Sequence, residues 1–234
     1  MENMMKKIVI SIIAVLLLLV GGCSYYVNDY YHARIDLNDY KYEILDNDSL
    51  VFKEDNPTKG LIFYPGGKVE YTAYIPLMQE LAKYDILCVL VEMPFNLAVL
   101  DINRAEGIKD NYPDINEWYL AGHSLGGSMA ASYLRDNIDD YDGLILLGSY
   151  STADLSNSNL KVLSVYGSED NILNHEKYES NKDNLPANYQ EKIIEGGCHS
   201  YFGMYGKQDG DGKPSISNEK QIKETVEAIN GLIK

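Results

Sequence analysis

Apolar residues in this chain gather in short runs separated by polar stretches. Residues 61–64, 86–91, 118–121, 144–147, 162–165 and 192–194 form such runs. Several are uniformly apolar rather than alternating, as strands of a parallel sheet covered on both faces are. Between them lie stretches with helical spacing: 71–83, 97–109, 125–137 and 218–233. In the last, Ile222, Val226, Ile229 and Ile233 recur every three to four residues and predict an amphipathic closing helix. Residues 40–52 read as a hairpin turning at Asn47-Asp48, and no repeat or Pro- or Ser-rich linker interrupts 40–234. This alternation predicts one α/β domain, a mostly parallel central sheet with helices on both faces.

The N-terminus follows another pattern. Lys6 and Lys7 precede an apolar run from Ile8 to Val20 broken only by Ser11, so residues 1–22 read as an export signal. At roughly 15 residues with its glycines, the run is short for a bilayer-spanning helix, which needs about 20. Val20-Gly21-Gly22-Cys23 resembles a bacterial lipobox. There, small residues let a peptidase reach the bond before a cysteine whose thiolate takes the lipid. The alternatives are an uncleaved signal anchor in which Cys23 is incidental and a plain secreted protein. Every reading expects the domain outside the cytoplasmic membrane, and the first two expect it attached to that membrane through its N-terminus. Residues 23–39, polar and Tyr-rich, read as a tether, and 40–234 as the domain.

Composition narrows the partners. With 35 acidic against 20 basic residues the net charge is −15, a poor match for nucleic acid, whose binding needs clustered Lys and Arg. Three cysteines are too few for a disulfide-dense fold. Cys88 and Cys198 read as small buried residues on a strand or strand end, too far apart to pair.

The chemistry centres on 118–127, where an apolar strand runs through Gly122-His123-Ser124-Leu125-Gly126-Gly127 into an Ala-rich helix. Gly-x-Ser-x-Gly between strand and helix is a nucleophile elbow: the serine sits on a tight turn that lacks room for side chains two residues away. A serine hydroxyl needs a base. Of four histidines, His32 lies in the tether, His123 adjoins the serine and suits packing, and His175 falls in a polar surface stretch. His199, after Gly196-Gly197 on the loop beyond a strand, has the right place in the order serine, acid, histidine. The acid is expected at a strand end between them. Asp170 in Tyr166-Gly167-Ser168-Glu169-Asp170 fits, with Glu169 and Asp154 as alternatives. Two backbone N–H groups must face the developing oxyanion. Leu125 is expected to supply one, and Gly67, with Lys68 second, the other from Tyr64-Pro65-Gly66-Gly67-Lys68.

Together the GHSLGG, YPGG, YGSED and GGCHSYF segments resemble an α/β-hydrolase. Within that superfamily the chain is similar to small, cap-less bacterial members related to the dienelactone hydrolases. The stretches 93–99 and 202–217 carry the same likeness. Dienelactone hydrolases proper use a cysteine nucleophile where this chain has Ser124, so their substrate is not implied. The resemblance implies a serine hydrolase acting on a small-molecule or acylated substrate, a carboxylesterase working through an acyl-enzyme. An acyltransferase on the same residues and a non-catalytic binding lipoprotein are the alternatives. The short intervals between Ser124, Asp170 and His199 leave no room for a large cap. Phe95, Asn96, Tyr150, Tyr201 and Phe202 are expected to line the cleft. Asp209-Gly210-Asp211-Gly212 reads as a turn rather than a calcium loop, and Cys198-His199 lacks partners for zinc. No cofactor is expected.

Overall fold

A computed structural model describes residues 2–234; Met1, the first residue of the expected export signal, lies outside them. The chain divides into two units, one ending at Tyr30 and one spanning Tyr31–Lys234. The first is essentially one helix, α1 (Glu2–Asn28). It does not stop at the glycines but runs on past Cys23. The stretch Met4–Asn28 is therefore long and apolar enough to cross a membrane, with a mean hydropathy of 2.6 over its most apolar window. Length and composition alone support that, and a signal sequence passes the same test.

The second unit is built on an eight-stranded sheet in the order β1-β2-β4-β3-β5-β6-β7-β8. The strands are β1 (Glu43–Ile44), β2 (Leu50–Phe52), β3 (Lys59–Tyr64), β4 (Ile86–Leu90), β5 (Glu117–His123), β6 (Gly143–Leu147), β7 (Lys161–Gly167) and β8 (Gln190–Ile194). β2 pairs antiparallel with both neighbours, and the pairs from β4 through β8 are parallel. The expected hairpin is present, with Asp48 at positive φ in its turn.

The uniform apolar character of the central strands follows from cover on both sides. Leu61, Phe63, Cys88, Leu90, Ala121, Ile145 and Val165 face one core with α2 (Ile75–Ala82) and α5 (Asn218–Ile233). Their alternates Ile62, Tyr64, Val89, Leu120, Leu146 and Val162 face a second core with α3 (Leu125–Asp136). A fourth short helix, α4 (His175–Ser180), follows β7. Among the described residues no large cap domain stands over the strand ends.

Two expectations change. Residues 97–109 do not form a helix; they make short 3-10 turns and bends, introduced by Phe95 and Asn96 with φ of 53° and 57°. Ala98, Ala105 and Ile108 still reach the second core, which is why their spacing looks helical. Nor is all of 23–39 a free tether. Tyr31, Ala33 and Ile35 pack on the first core. Tyr31 N–H donates to Lys68 O at 2.8 Å, Glu70 N–H to Tyr31 O at 2.9 Å and Arg34 N–H to Met204 O at 2.7 Å. The alternation of apolar and polar residues from 31 to 36 makes this edge segment, since one side of it meets the core.

Candidate active site

The loops that matter leave the C-terminal ends of β3, β5, β6, β7 and β8, the end of a parallel sheet where α/β proteins place their ligands. Ser124 joins β5 to α3 with φ 52° and ψ −123°, a backbone conformation that L residues rarely adopt. Its N–H donates to Leu147 O at 2.9 Å, and its carbonyl accepts from Ser149 Oγ at 2.7 Å. The glycines on either side serve close backbone contacts rather than clearance for the serine. A Cβ on Gly122 would lie 2.6 Å from Gly126 C and Gly127 N, and one on Gly126 only 2.2 Å from Pro65 O.

His199 opens a 3-10 turn after β8 and is buried, as is Asp170 after β7. Their side chains meet at 2.8 Å, His199 Nδ1 to Asp170 Oδ2. The other carboxylate oxygen of Asp170 accepts N–H bonds from Ile172 (3.0 Å) and Leu173 (2.8 Å), which fix the group in place. With its proton on Nδ1 toward the carboxylate, His199 has Nε2 as its basic nitrogen. That atom is buried and has no hydrogen-bond partner. It is not hydrogen-bonded to Ser124 Oγ in this structure, but both residues line one cavity of about 260 Å³. Gly148, at φ +50°, passes beside the pair: a Cβ there would sit 2.9 Å from His199 Nδ1.

The loop after β3 faces the start of α3, so that a Cβ on Gly67 would lie 2.9 Å from Leu125 Cδ2. Gly66 N–H is bonded to Tyr74 Oη at 3.1 Å and Lys68 N–H to Asn96 O at 2.8 Å. Lys68 N–H is thus committed to the loop, which leaves Gly67 as the better placed of the two expected donors. Leu125 heads α3, where the first N–H groups have no intrahelical partner.

Of the alternatives, Glu169 is exposed and its N–H donates to Gly197 O, while the Asp154 carboxylate binds Ser156 N–H. His32 lies at the surface 3.4 Å from Glu70, and exposed His175 places Nε2 2.9 Å from the Asp170 carbonyl oxygen. Cys23 is exposed on α1; Cys88 and Cys198 are buried thiols, the latter pushed up to about 11 by burial first. Cys198 lies in the loop past β8 rather than at the strand end. Among the expected lining residues Tyr150 faces the cavity. Phe202 is buried instead against His123, with ring centroids 5.5 Å apart, and Phe95 is 62% exposed.

Several contributors have no sequence signal. Ile172, Leu173 and Asn174 form one wall of the cavity with Ser128 and Ser149. Asp211, in the stretch expected to be a plain turn, is buried and accepts from the N–H groups of Ser200 (2.8 Å), His199 (3.2 Å) and Gly212 (2.8 Å). Burial raises this carboxyl, but those hydrogen bonds outweigh it and hold Asp211 below the ordinary carboxylate range.

Fold and site together define an α/β-hydrolase. The chain belongs to the alpha/beta hydrolase family, whose model matches residues 60–223. No curated protein matches it in sequence. Among solved structures it is similar to a monoacylglycerol lipase from Paleococcus ferrophilus, at TM-score 0.61 and 11% identity, covering 82% of this chain and 100% of that one. Est1E from Butyrivibrio proteoclasticus gives 0.60 and 15%, covering 82% and 98%. A dienelactone hydrolase from Anabaena variabilis gives 0.58 and 12%, covering 81% and 96%. At these identities the likeness speaks for the fold.

Proposed function

We propose that this protein is a serine hydrolase acting on carboxylic esters through Ser124, His199 and Asp170. The observation that carries the reading is the buried Asp170–His199 pair at 2.8 Å, whose open Nε2 shares a cavity with Ser124 on its strained turn. Ser124 Oγ attacks the ester carbonyl while Nε2 takes its proton. Asp170 holds the tautomer and stabilises the imidazolium. The oxyanion receives the N–H groups of Leu125 and Gly67. The imidazolium then protonates the leaving alcohol, and a water molecule, activated in the same way, releases the acid and restores Ser124. A monoacylglycerol lipase among the structural neighbours is in keeping with an ester substrate.

We further infer that α1 attaches the enzyme to a membrane on its extracytoplasmic side, as a signal anchor or, after cleavage, through lipid on Cys23. The test of the catalytic reading is hydrolysis of p-nitrophenyl esters by detergent-solubilised full chain, with fluorophosphonate labelling. Both signals should vanish in Ser124→Ala, and turnover in His199→Ala; turnover that survives either change sinks the assignment. Metabolic labelling with a fatty-acid analogue, lost in Cys23→Ser, tests the lipid.

A further inference from the structure

Three site loops meet at two side chains that the proposed reaction does not use, Tyr74 and His123. Both are fully buried. Tyr74 Oη accepts the Gly66 N–H at 3.1 Å and lies 2.8 Å from His123 Nδ1. Since Gly66 supplies the first hydrogen, the hydroxyl's own proton is the one available to Nδ1, which places the imidazole proton on Nε2. The His123 ring stands 4.5 Å, centroid to centroid, from His199. The loop after β3 rests directly on the pair, for a Cβ on Gly66 would lie 2.7 Å from His123 Nδ1 and 2.8 Å from Tyr74 Oη. From the other side Gly203, just past the His199 turn, approaches so closely that its Cβ would lie 3.1 Å from Tyr74 Cε1.

A core needing only bulk at position 123 would be served by Leu or Phe. The imidazole instead joins Tyr74 Oη at 2.8 Å through Nδ1 and interacts with the His199 backbone as well, contacts no hydrocarbon side chain could make. Burial first, then the nearby His199, hold His123 well below its ordinary range, so it stays neutral. A neutral ring does not oppose the positive charge that His199 acquires on taking the serine proton.

We propose that Tyr74 and His123 are positioning residues, a hydrogen-bonded pair that sets the Gly66–Gly67 backbone and the His199 ring as one unit. The oxyanion donor and the base are then aligned by the same two side chains. This rests on the roles given above to Ser124, His199 and Gly67.

The test compares full-length native protein with Tyr74→Phe, His123→Leu, His123→Asn and the Tyr74→Phe/His123→Leu double variant. It reads kcat and KM on p-nitrophenyl acetate and the rate of Ser124 phosphonylation by a fluorophosphonate. Tyr74→Phe is expected to lower kcat and the phosphonylation rate about 10- to 100-fold with KM within about twofold, the mark of a lost transition-state alignment. The double variant should be no worse than the worse single one, since both break the same unit. His123→Asn, whose Oδ1 can accept from Tyr74, should recover most of the loss seen in His123→Leu. Should His123→Leu fail to fold, Tyr74→Phe and His123→Asn decide alone. Rates in Tyr74→Phe within twofold of native, losses that multiply in the double variant, or His123→Asn no better than Leu would overturn the pairing. Native protein that neither hydrolyses nor labels removes the esterase reading and this role with it. Native labelling that Tyr74→Phe leaves unchanged removes this role alone.

Discussion

Two buried carboxylates hold His199, one by its ring and one by its backbone. Asp170 sits at the end of β7, bonded to the ring nitrogen and to the N–H groups of the two residues that follow the turn. Asp211 comes from the loop that follows the histidine's 3-10 turn and takes the N–H groups of His199 and Ser200. In the proposed reaction the first would act on the charge that moves, the second on the geometry of the peptide that carries it. The difference teaches that one histidine can be fixed twice by different physics: electrostatic stabilisation of its ring and satisfaction of buried backbone donors.

Asp170→Asn should break the comparison most sharply. With the ring bond altered and the tautomer lost, kcat should fall about 10³- to 10⁴-fold with little change in KM, measured by steady-state ester hydrolysis. Gly148→Ala comes next. Its new methyl would press on both members of the pair and strain a positive φ, so kcat should drop about 100-fold.

Asp211→Asn should be milder in catalysis, about 10-fold, but should cost about 1–3 kcal/mol in stability, read by denaturant unfolding. The amide nitrogen that replaces one oxygen cannot accept an N–H. Acid sharpens this. Asp211 is held below the ordinary carboxylate range, so its contribution to stability is complete above that range. It is lost as pH falls through the folded value, below about pH 4. The native protein should therefore lose stability on acidification more steeply than Asp211→Asn does. His175→Gln is the smallest expected change, under about twofold in kcat, because its exposed ring meets the Asp170 carbonyl oxygen and the edge of Tyr166 but not the carboxylate or the His199 ring.

The same contrast explains what could be read from the residues. Strands β3 to β7 are legible because both faces are covered and the runs are uniformly apolar. Ser124, Asp170 and His199 stand out as candidates because each follows a strand with a glycine two or three positions before it. Asp211 is not, since its partners lie 11 and 12 positions earlier and only the folded loop brings them within reach. The stretch 97–109 misleads because bends, not a helix, return its apolar residues to the core. At 31–36 a period-two pattern is present, but its polar and Tyr-rich surroundings hide it. Where the glycines of the elbow are concerned, the pattern is readable and its cause is not: the crowding comes from β3 and α3 backbones, which no local motif records.

The edge segment beginning at Tyr31 has a consequence for how the molecule comes into being. Tyr31 Oη accepts from Asp209 N–H, a contact spanning 178 positions, and Arg34 reaches Met204. During synthesis these early residues wait until almost the whole chain has emerged. Contacts of such separation form late and slowly, so the loop bearing His199 gains its last support only after the sheet is complete. A nascent or arrested chain would then lack the settled His199 loop, and the activity proposed above would arise only with the completed fold.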